Sequence, residues 1–150
     1  MKGFTLIELM VAVVIGTMLI AGGALSLNAS RGRGKIAACK NQLVVELRTA
    51  RSYAKSLQMP SGAGGTLNYV TVNISEGGRV TARANGTDEY FSSDVSPEGI
   101  SLAVDNNDFQ FAAYSGRLNQ DGAVITISSS EVGETAIVEI NSLGLVNENR

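Results

Sequence analysis

The chain contains no histidine and no tryptophan, and Cys39 is the single cysteine. A lone cysteine cannot form an intramolecular disulfide, and without histidine there is no Cys/His set of metal ligands. Histidine is also the commonest general acid–base residue, so a Ser/His/Asp or Cys/His catalytic arrangement is excluded. We expect Cys39 to be a small buried residue on a helix, with an intersubunit disulfide as the alternative.

Other signatures of catalysis are weak as well. The glycine-rich segment 62–65 follows a predicted helix and precedes a predicted strand, which is the wrong order for a phosphate-binding loop. The carboxylates of Asp88–Glu89 and Asp105–Asp108 lie in turn-like stretches and are expected to be solvated. Oxygen-rich loops can hold calcium, so a weak site at residues 105–108 stays open. The sequence predicts a protein that is not an enzyme and has no cofactor.

The chain does contain a long uncharged run, from Leu9 to Ser30. A transmembrane helix needs about 20 mostly apolar residues. As a helix, residues 4–30 would be about 40 Å long at about 1.5 Å per residue. One carboxylate, Glu8, lies inside this segment. An unpaired ionisable group at membrane depth costs on the order of 2.5–3.5 kcal/mol, so Glu8 is expected to pair with a cation.

The residues in front of Glu8 suggest that cation. Gly3 is small and follows a single basic residue, Lys2. A peptidase that cut between Gly3 and Phe4 would leave Phe4 with a free α-amino group, which could neutralise Glu8 on an adjacent, offset subunit. The alternative is an ordinary signal peptide or membrane anchor. Secretory signals place the apolar region before the cut, whereas the plausible cut here precedes it.

The segment Gly3-Phe4-Thr5-Leu6-Ile7-Glu8, joined to its apolar run, resembles the processing and methylation motif of type IV prepilins and type II secretion pseudopilins. The resemblance implies that prepilin peptidase removes residues 1–3 as a leader and methylates Phe4. It implies that residues 4–30 span the bacterial inner membrane once and later form a filament core, with Glu8 acting in assembly. The implied partners are other pilin or pseudopilin subunits, prepilin peptidase and the inner-membrane assembly platform. The C-terminal head would lie in the periplasm or outside the cell.

The charges of the remaining chain are unevenly distributed. Between residues 31 and 55 there are seven basic residues and one acid, Glu46, whereas twelve acids and four bases follow from Met59 onward. The seven basic residues are Arg31, Arg33, Lys35, Lys40, Arg48, Arg51 and Lys55. This basic stem could pair subunits, contact lipid headgroups or be a solvated helix face. The acidic head predicts no nucleic-acid partner.

An amphipathic stem helix is predicted for residues 31–59. This segment is predicted to begin with a flexible joint at 31–34, where two glycines weaken a helix by about 1 kcal/mol each. From Lys35 onward apolar residues recur every three or four positions, the stripe of a helix that packs on its own domain. Its members are Ile36, Cys39, Leu43, Leu47, Ala50, Ala54 and Leu57. Pro60 and the following glycines end the helix.

Beyond Thr66 the apolar period changes to two, the period of strands with one buried face. Segments 68–74 and 79–84 flank Glu76-Gly77-Gly78 and predict a hairpin. Further strands are predicted at 89–92, 100–104, 108–114, 123–128 and 135–140. The predicted fold class is therefore α+β: a long N-terminal helix, membrane-spanning and then amphipathic, packed on the antiparallel β-sheet of a head formed by residues 60–150.

The order of elements in the head is similar to the minor pseudopilin H and FimT-like branch of the same superfamily. Phe109-Gln110-Phe111 precedes Ser115-Gly116-Arg117-Leu118, and a glycine hairpin follows at 140–146. This resemblance implies a minor pseudopilin, a structural subunit of the periplasmic pseudopilus in type II protein secretion. One alternative is a minor or major type IV pilin serving adhesion, motility or DNA uptake. Another is a membrane-anchored binding domain that never polymerises.

Overall fold

The structure is a computed structural model that describes residues 5–149, with the backbone alone for residues 21–28, 148 and 149. One helix, α1 (Leu6–Ser56), is followed by eight strands. They are β1 (Tyr69–Ile74), β2 (Arg79–Ala84), β3 (Asp88–Asp94), β4 (Ile100–Val104), β5 (Asp108–Ala112), β6 (Gly122–Ser129), β7 (Thr135–Asn141) and β8 (Val146–Asn149). The predicted α+β class is confirmed, and each strand that was predicted from alternation lies within two residues of its expected bounds.

Both ends of α1 are set by local chemistry. Thr5 is extended and its Oγ1 accepts a hydrogen bond from the Glu8 backbone N–H at 3.3 Å, which satisfies one of the unpaired donors of the first turn. At the other end Leu57 is left-handed, with φ 56°, and its N–H bonds to the Tyr53 carbonyl. The helix therefore ends at Ser56, slightly before the predicted boundary at Met59.

The prediction of a flexible joint at residues 31–34 is wrong, because α1 continues through these residues without a break. Gly32 is buried, and a Cβ there would lie 2.6 Å from Val132 Cγ1. The missing side chain thus lets the helix approach the β6–β7 turn closely. A packed helix gains most of its stability from tertiary contacts, and here these outweigh the weak helix propensity of two glycines.

The head contains two four-stranded antiparallel sheets. The first has the order β3-β2-β1-β5 and the second β4-β6-β7-β8. In the first sheet the predicted hairpin pairs Val72 with Ala82. Gly78, in the turn between β1 and β2, has φ +81°. A Cβ there would collide with Ser96 and lie 3.1 Å from Leu102 Cδ1 of the second sheet. The turn therefore needs glycine both for its conformation and for space.

The hydrophobic core lies between α1 and the two sheets. Six of the seven predicted stripe residues are buried, and Leu57, the left-handed cap, is the exception at 36% exposed. Val44 is also buried, although the stripe did not include it. Alternate residues of the strands face the helix, and they include Val70, Val72, Phe109, Phe111, Ile125, Ile127, Val138 and Ile140. The stem half of α1 is thus part of the folding unit of the head.

Candidate functional site

The candidate site is the N-terminal segment, for which the sequence predicts processing and a role in assembly. Gly3 and Phe4, together with the rest of the predicted leader, lie outside the described residues. Glu8 is described: it lies exposed in the first turn of α1, where a carboxylate also interacts favourably with the helix dipole. Thr5-Leu6-Ile7-Glu8 has the Thr-x-x-Glu spacing of a capping box. This spacing is a signal in the sequence for the start of a helix, and Thr5 was not predicted as its N-cap.

The helix segment that follows Thr5 displays its apolar side chains to the outside. Every large apolar side chain from Leu6 to Ile20 is at least half exposed, from 50% at Val14 to 75% at Leu6. Thr17, a polar residue of this segment, donates its hydroxyl to the Val14 carbonyl at 2.9 Å, so its hydrogen-bonding need is met inside the helix. Large contiguous apolar surfaces of this kind mark contact with lipid or protein.

The backbone is helical over nearly all of the predicted transmembrane segment 4–30, from Leu6 onward. In the part of the chain that the structure describes, no helix combines the length and apolarity needed to cross a membrane.

The basic stem begins with two ion pairs to its own head. Arg33 Nε lies 2.8 Å from Glu134 Oε1, and Lys35 Nζ lies 2.6 Å from Glu131 Oε1. Lys35 also donates to the Glu98 carbonyl at 3.2 Å. Exposed pairs of this kind contribute about 0–1 kcal/mol each, so they orient the helix on the β6–β7 turn more than they stabilise it. Both side chains keep contact with solvent, with 67% of Arg33 and 36% of Lys35 exposed, and subunit pairing and lipid contact by the stem stay predictions.

The acidic segment 105–108 makes local hydrogen bonds. Asp108 Oδ1 accepts from Asn73 Nδ2 at 2.6 Å, and Asn106 Nδ2 donates to Gln120 Oε1 at 2.9 Å. Within the described residues, no three Asp, Glu, His or Cys side chains come together as metal ligands.

Cys39 is buried in the core face of α1, as predicted, with 1% of its surface exposed. Burial raises the pKa of its thiol to about 11, since the thiolate would lose its hydration. The thiol is therefore protonated at neutral pH and shielded by the head. This burial disfavours the alternative of an intersubunit disulfide, because the sulfur would first have to leave the core.

Comparison with known proteins bears on the same N-terminal segment. Residues 1–24 match the family model described as the prokaryotic N-terminal methylation motif. No curated protein and no solved structure matches the chain. The matched motif is of the prepilin type and includes Gly3, Phe4 and Glu8. It supports membership of the type IV pilin and pseudopilin superfamily, whose subunits are processed by prepilin peptidase and assemble with other pilin subunits.

Proposed function

We propose that the protein is a minor pseudopilin of a type II secretion system and acts as a structural subunit, not as an enzyme. The observation that carries the proposal is the exposed apolar segment Leu6–Ile20, which has one carboxylate, Glu8, in its first turn. A monomer in water would leave this surface uncovered, and burying each large apolar side chain is worth about 1.5–3 kcal/mol. Lipid can cover it before assembly and neighbouring helices can cover it afterwards.

Cleavage after Gly3 would set the assembly chemistry. It removes Lys2 with the leader and gives Phe4 a cationic N-terminus, four residues ahead of Glu8. Two opposite charges 4 Å apart attract by about 4 kcal/mol at an effective dielectric constant of about 20. This is comparable to the roughly 2.5–3.5 kcal/mol that an unpaired carboxylate costs at membrane depth. A subunit is therefore driven to place Glu8 beside the N-terminus of its neighbour.

The placement proposed for the subunit follows from this chemistry. Residues 4–30 span the inner membrane once, the stem and β head face the periplasm, and assembly transfers the apolar helix from lipid to the filament core. The acidic balance of the head favours a secretion role over a DNA-uptake role, since polyphosphate is attracted by clusters of Lys and Arg. The order of the aromatic strand and the glycine hairpin supports the minor pseudopilin branch.

Processing is tested by the mass of the mature protein. We expect a chain that begins at Phe4 with one added methyl group, and a Gly3→Leu variant that accumulates as the full-length precursor in the membrane. Ala12→Leu, a bulky substitution inside the apolar run, is the control and should leave processing unchanged. A mature N-terminus at Met1, or beyond Phe4, would contradict the proposal.

The proposed role in type II secretion is tested by deleting the gene in the source cell and restoring it on a plasmid. We expect proteins destined for secretion to accumulate in the periplasm of the deletion strain, and secretion to return with the unchanged gene. The Gly3→Leu gene should not restore it. Normal secretion combined with loss of surface pili, motility or DNA uptake would instead favour a type IV pilin.

A further inference from the structure

The cations that the structure describes include four with a carboxylate partner in the head and three, near the C-terminal end of α1, without one. Four of them pair with carboxylates of the head: Arg33 and Lys35 as described, Arg79 with Asp94 at 3.7 Å, and Arg83 with Glu89 at 3.5 Å. Arg51, Lys55 and Arg117 have no carboxylate partner within the described residues. Arg51 and Lys55 lie in the last turns of α1, opposite to the apolar segment, and Arg117 directly follows Gly116 in the loop that packs on them.

Two glycines bring these cations together. A Cβ on Gly116 would lie 2.7 Å from Lys55 Cγ and 3.1 Å from Arg51 Cγ, so loop 114–117 packs directly on the last turns of α1. A Cβ on Gly144 would collide with the Gly116 carbonyl, so the β7–β8 turn packs on that loop in the same way. Arg51 joins the two, because its guanidinium donates to the Gly116 and Leu143 carbonyls at 3.1 Å each. Neither bond neutralises its charge.

A cleft of about 380 Å³ opens beside this contact, a size in the range of ligand-binding pockets. One wall is polar and cationic and comes from α1, and the other is formed by the β7–β8 turn. We call it the distal cleft, and it is lined by Arg48, Arg51, Ser52, Lys55, Gly144, Leu145 and Val146. Leu143 and Leu145 of the turn are 47% and 44% exposed. The cleft therefore offers positive charge on one side and apolar surface on the other.

Tyr114 lies in the loop beside the cleft and is 74% exposed. Its φ of 64° is in the left-handed region, which is strained for a bulky residue. Its N–H bonds to the Ala54 carbonyl at 3.1 Å, so the loop is held against the helix end in this conformation. Strained residues concentrate at binding and active sites. Tyrosine and arginine are also the residues that most often dominate the energy of protein interfaces.

We propose that the distal cleft, together with Tyr114 and Arg117, binds an acidic segment of a partner protein. Carboxylates of the segment contact Lys55, Arg51 and Arg117, and an apolar or aromatic side chain packs between Tyr114 and the leucines of the β7–β8 turn. The proposal requires only the folded head. It stands or falls separately from the secretion role proposed above.

Charge and position favour a peptide over other anionic ligands. The head from Met59 onward carries twelve acids and four bases, so an extended polyphosphate such as DNA is repelled outside this small patch. A bilayer that held the apolar segment would lie far from the cleft, because Lys55 is about 70 Å along α1 from Leu6 at about 1.5 Å per residue. A short peptide can place a few carboxylates in the cleft and an apolar side chain on its far wall.

The test is a binding titration with the full chain in nanodiscs of zwitterionic lipid. The probe is a fluorescein-labelled peptide, Gly-Glu-Glu-Phe-Glu-Glu-Gly, and the same peptide with lysine for glutamate is its control. We expect salt-sensitive binding of the acidic peptide alone. Lys55→Glu with Arg117→Glu should weaken it about tenfold or more, which corresponds to roughly 1.4 kcal/mol. Arg79→Glu with Arg83→Glu, an equal change in net charge elsewhere, should alter it less than about twofold.

Tyr114→Gly separates binding from folding. Glycine adopts φ near 64° without strain, so the thermal midpoint should stay the same or rise. Peptide binding should nevertheless weaken at least about threefold. Should the charge reversals disturb folding, Lys55→Gln with Arg117→Gln provides the same test with a smaller perturbation.

Four results would overturn the proposal. They are the absence of acidic-peptide binding, equal loss of binding in the Arg79/Arg83 control, unchanged binding in Tyr114→Gly, and stronger binding of duplex DNA or phosphatidylglycerol vesicles through the same residues.

Discussion

At the scale of single residues, Glu8 has one role that the structure shows, in helix initiation, and a second that we propose, in assembly. Its backbone N–H donates to Thr5 Oγ1 and so helps to begin α1, whereas its carboxylate is exposed and available to a neighbour. The backbone role survives any substitution that preserves the helix. The carboxylate role requires the charge. Substitutions at Glu8 and Thr5 can therefore distinguish helix initiation from intersubunit pairing.

Replacing Glu8 with leucine should leave membrane insertion intact or improve it, because a buried charge is removed. Assembly into filaments should fall sharply, and Glu8→Gln should behave in the same way. The measurement is the fraction of subunits in sheared filaments relative to the membrane fraction. Glu46→Gln, a carboxylate change on the stem, is the matched control and should assemble normally. Normal filament entry by Glu8→Leu would refute the pairing.

Thr5→Ala tests the other role. It removes the cap and should destabilise the first turn by about 1 kcal/mol, while the Glu8 carboxylate is kept. We expect increased hydrogen exchange of the amides in the first turn and assembly closer to that of the unchanged protein than to that of Glu8→Leu. Equal assembly defects in the two variants would show that helix initiation, not charge, is what Glu8 contributes.

Cys39 makes the stability of the head depend on pH in the alkaline range. Burial raises the pKa of its thiol from its ordinary value of 9.0 to about 11, so the folded state holds the proton that the unfolded state has lost. The stability that the buried, protonated thiol contributes to the folded state is fully present below pH 9. It is lost as the pH rises from 9 to 11. The loss should reach roughly 2–3 kcal/mol, at about 1.4 kcal/mol per pKa unit.

The measurement for Cys39 is denaturant unfolding of the protein and of Cys39→Ala across pH 7 to 11. The stability difference between the two should shrink above pH 9, since alanine does not titrate. A difference that is constant across this range would contradict a buried thiol. The folded protein should also resist alkylation at neutral pH, because a protonated and shielded thiol is a poor nucleophile.

At the scale of elements, the continuity of α1 depends on its contact with the β6–β7 turn. Gly32 lies against Val132, whereas nothing lies within 4 Å of a Cβ on Gly34. The two glycines are two positions apart on the same helix, yet their substitution should have opposite effects. One glycine permits packing, and the other only lowers helix propensity.

Gly32→Val should destabilise the head by about 1–3 kcal/mol, because overpacking forces α1 away from the turn. Gly34→Ala should stabilise it by up to about 1 kcal/mol through helix propensity alone. Thermal unfolding of the purified chain in detergent gives both values. Gly32→Val combined with Val132→Ala should recover part of the loss, since it removes the two methyl groups nearest to the new side chain. The absence of any recovery would show that the loss has another cause.

At the scale of the whole molecule, α1 belongs to two environments. Its first turns are exposed and apolar, whereas Ile36, Leu43 and Leu47 are buried against the sheets. The stem is therefore needed for folding even though it is continuous with the segment proposed for the membrane. This gives a prediction about where the chain can be cut.

A fragment of residues 31–150 should fold as a soluble monomer, because it keeps the buried stripe and the contact of Gly32 with Val132. A fragment of residues 61–150 should aggregate, since it exposes the strand residues that the stripe covers. Size-exclusion chromatography and circular dichroism of the two fragments test this. A monomeric, cooperatively folded 61–150 fragment would show that the stem is not part of the core.

The sequence by itself determined those features that depend on local pattern. A period of three to four residues predicted the stripe from Ile36 to Leu57, which is buried except at Leu57, and a period of two predicted the strands. The N-terminal methylation motif is equally local, because residues 1–24 alone match its family model.

Only the tertiary structure shows the contacts between residues that are far apart in the chain. Glycine weakens an isolated helix, so only the position of Val132 shows that Gly32 serves packing in an unbroken helix. Three further features join residues far apart in the chain. They are the division of the head into two sheets, the pairing of Arg33 and Lys35 with the β6–β7 turn, and the packing of Gly116 on Arg51 and Lys55. Such contacts depend on how the elements pack in space, which the spacing of residues along the chain does not specify.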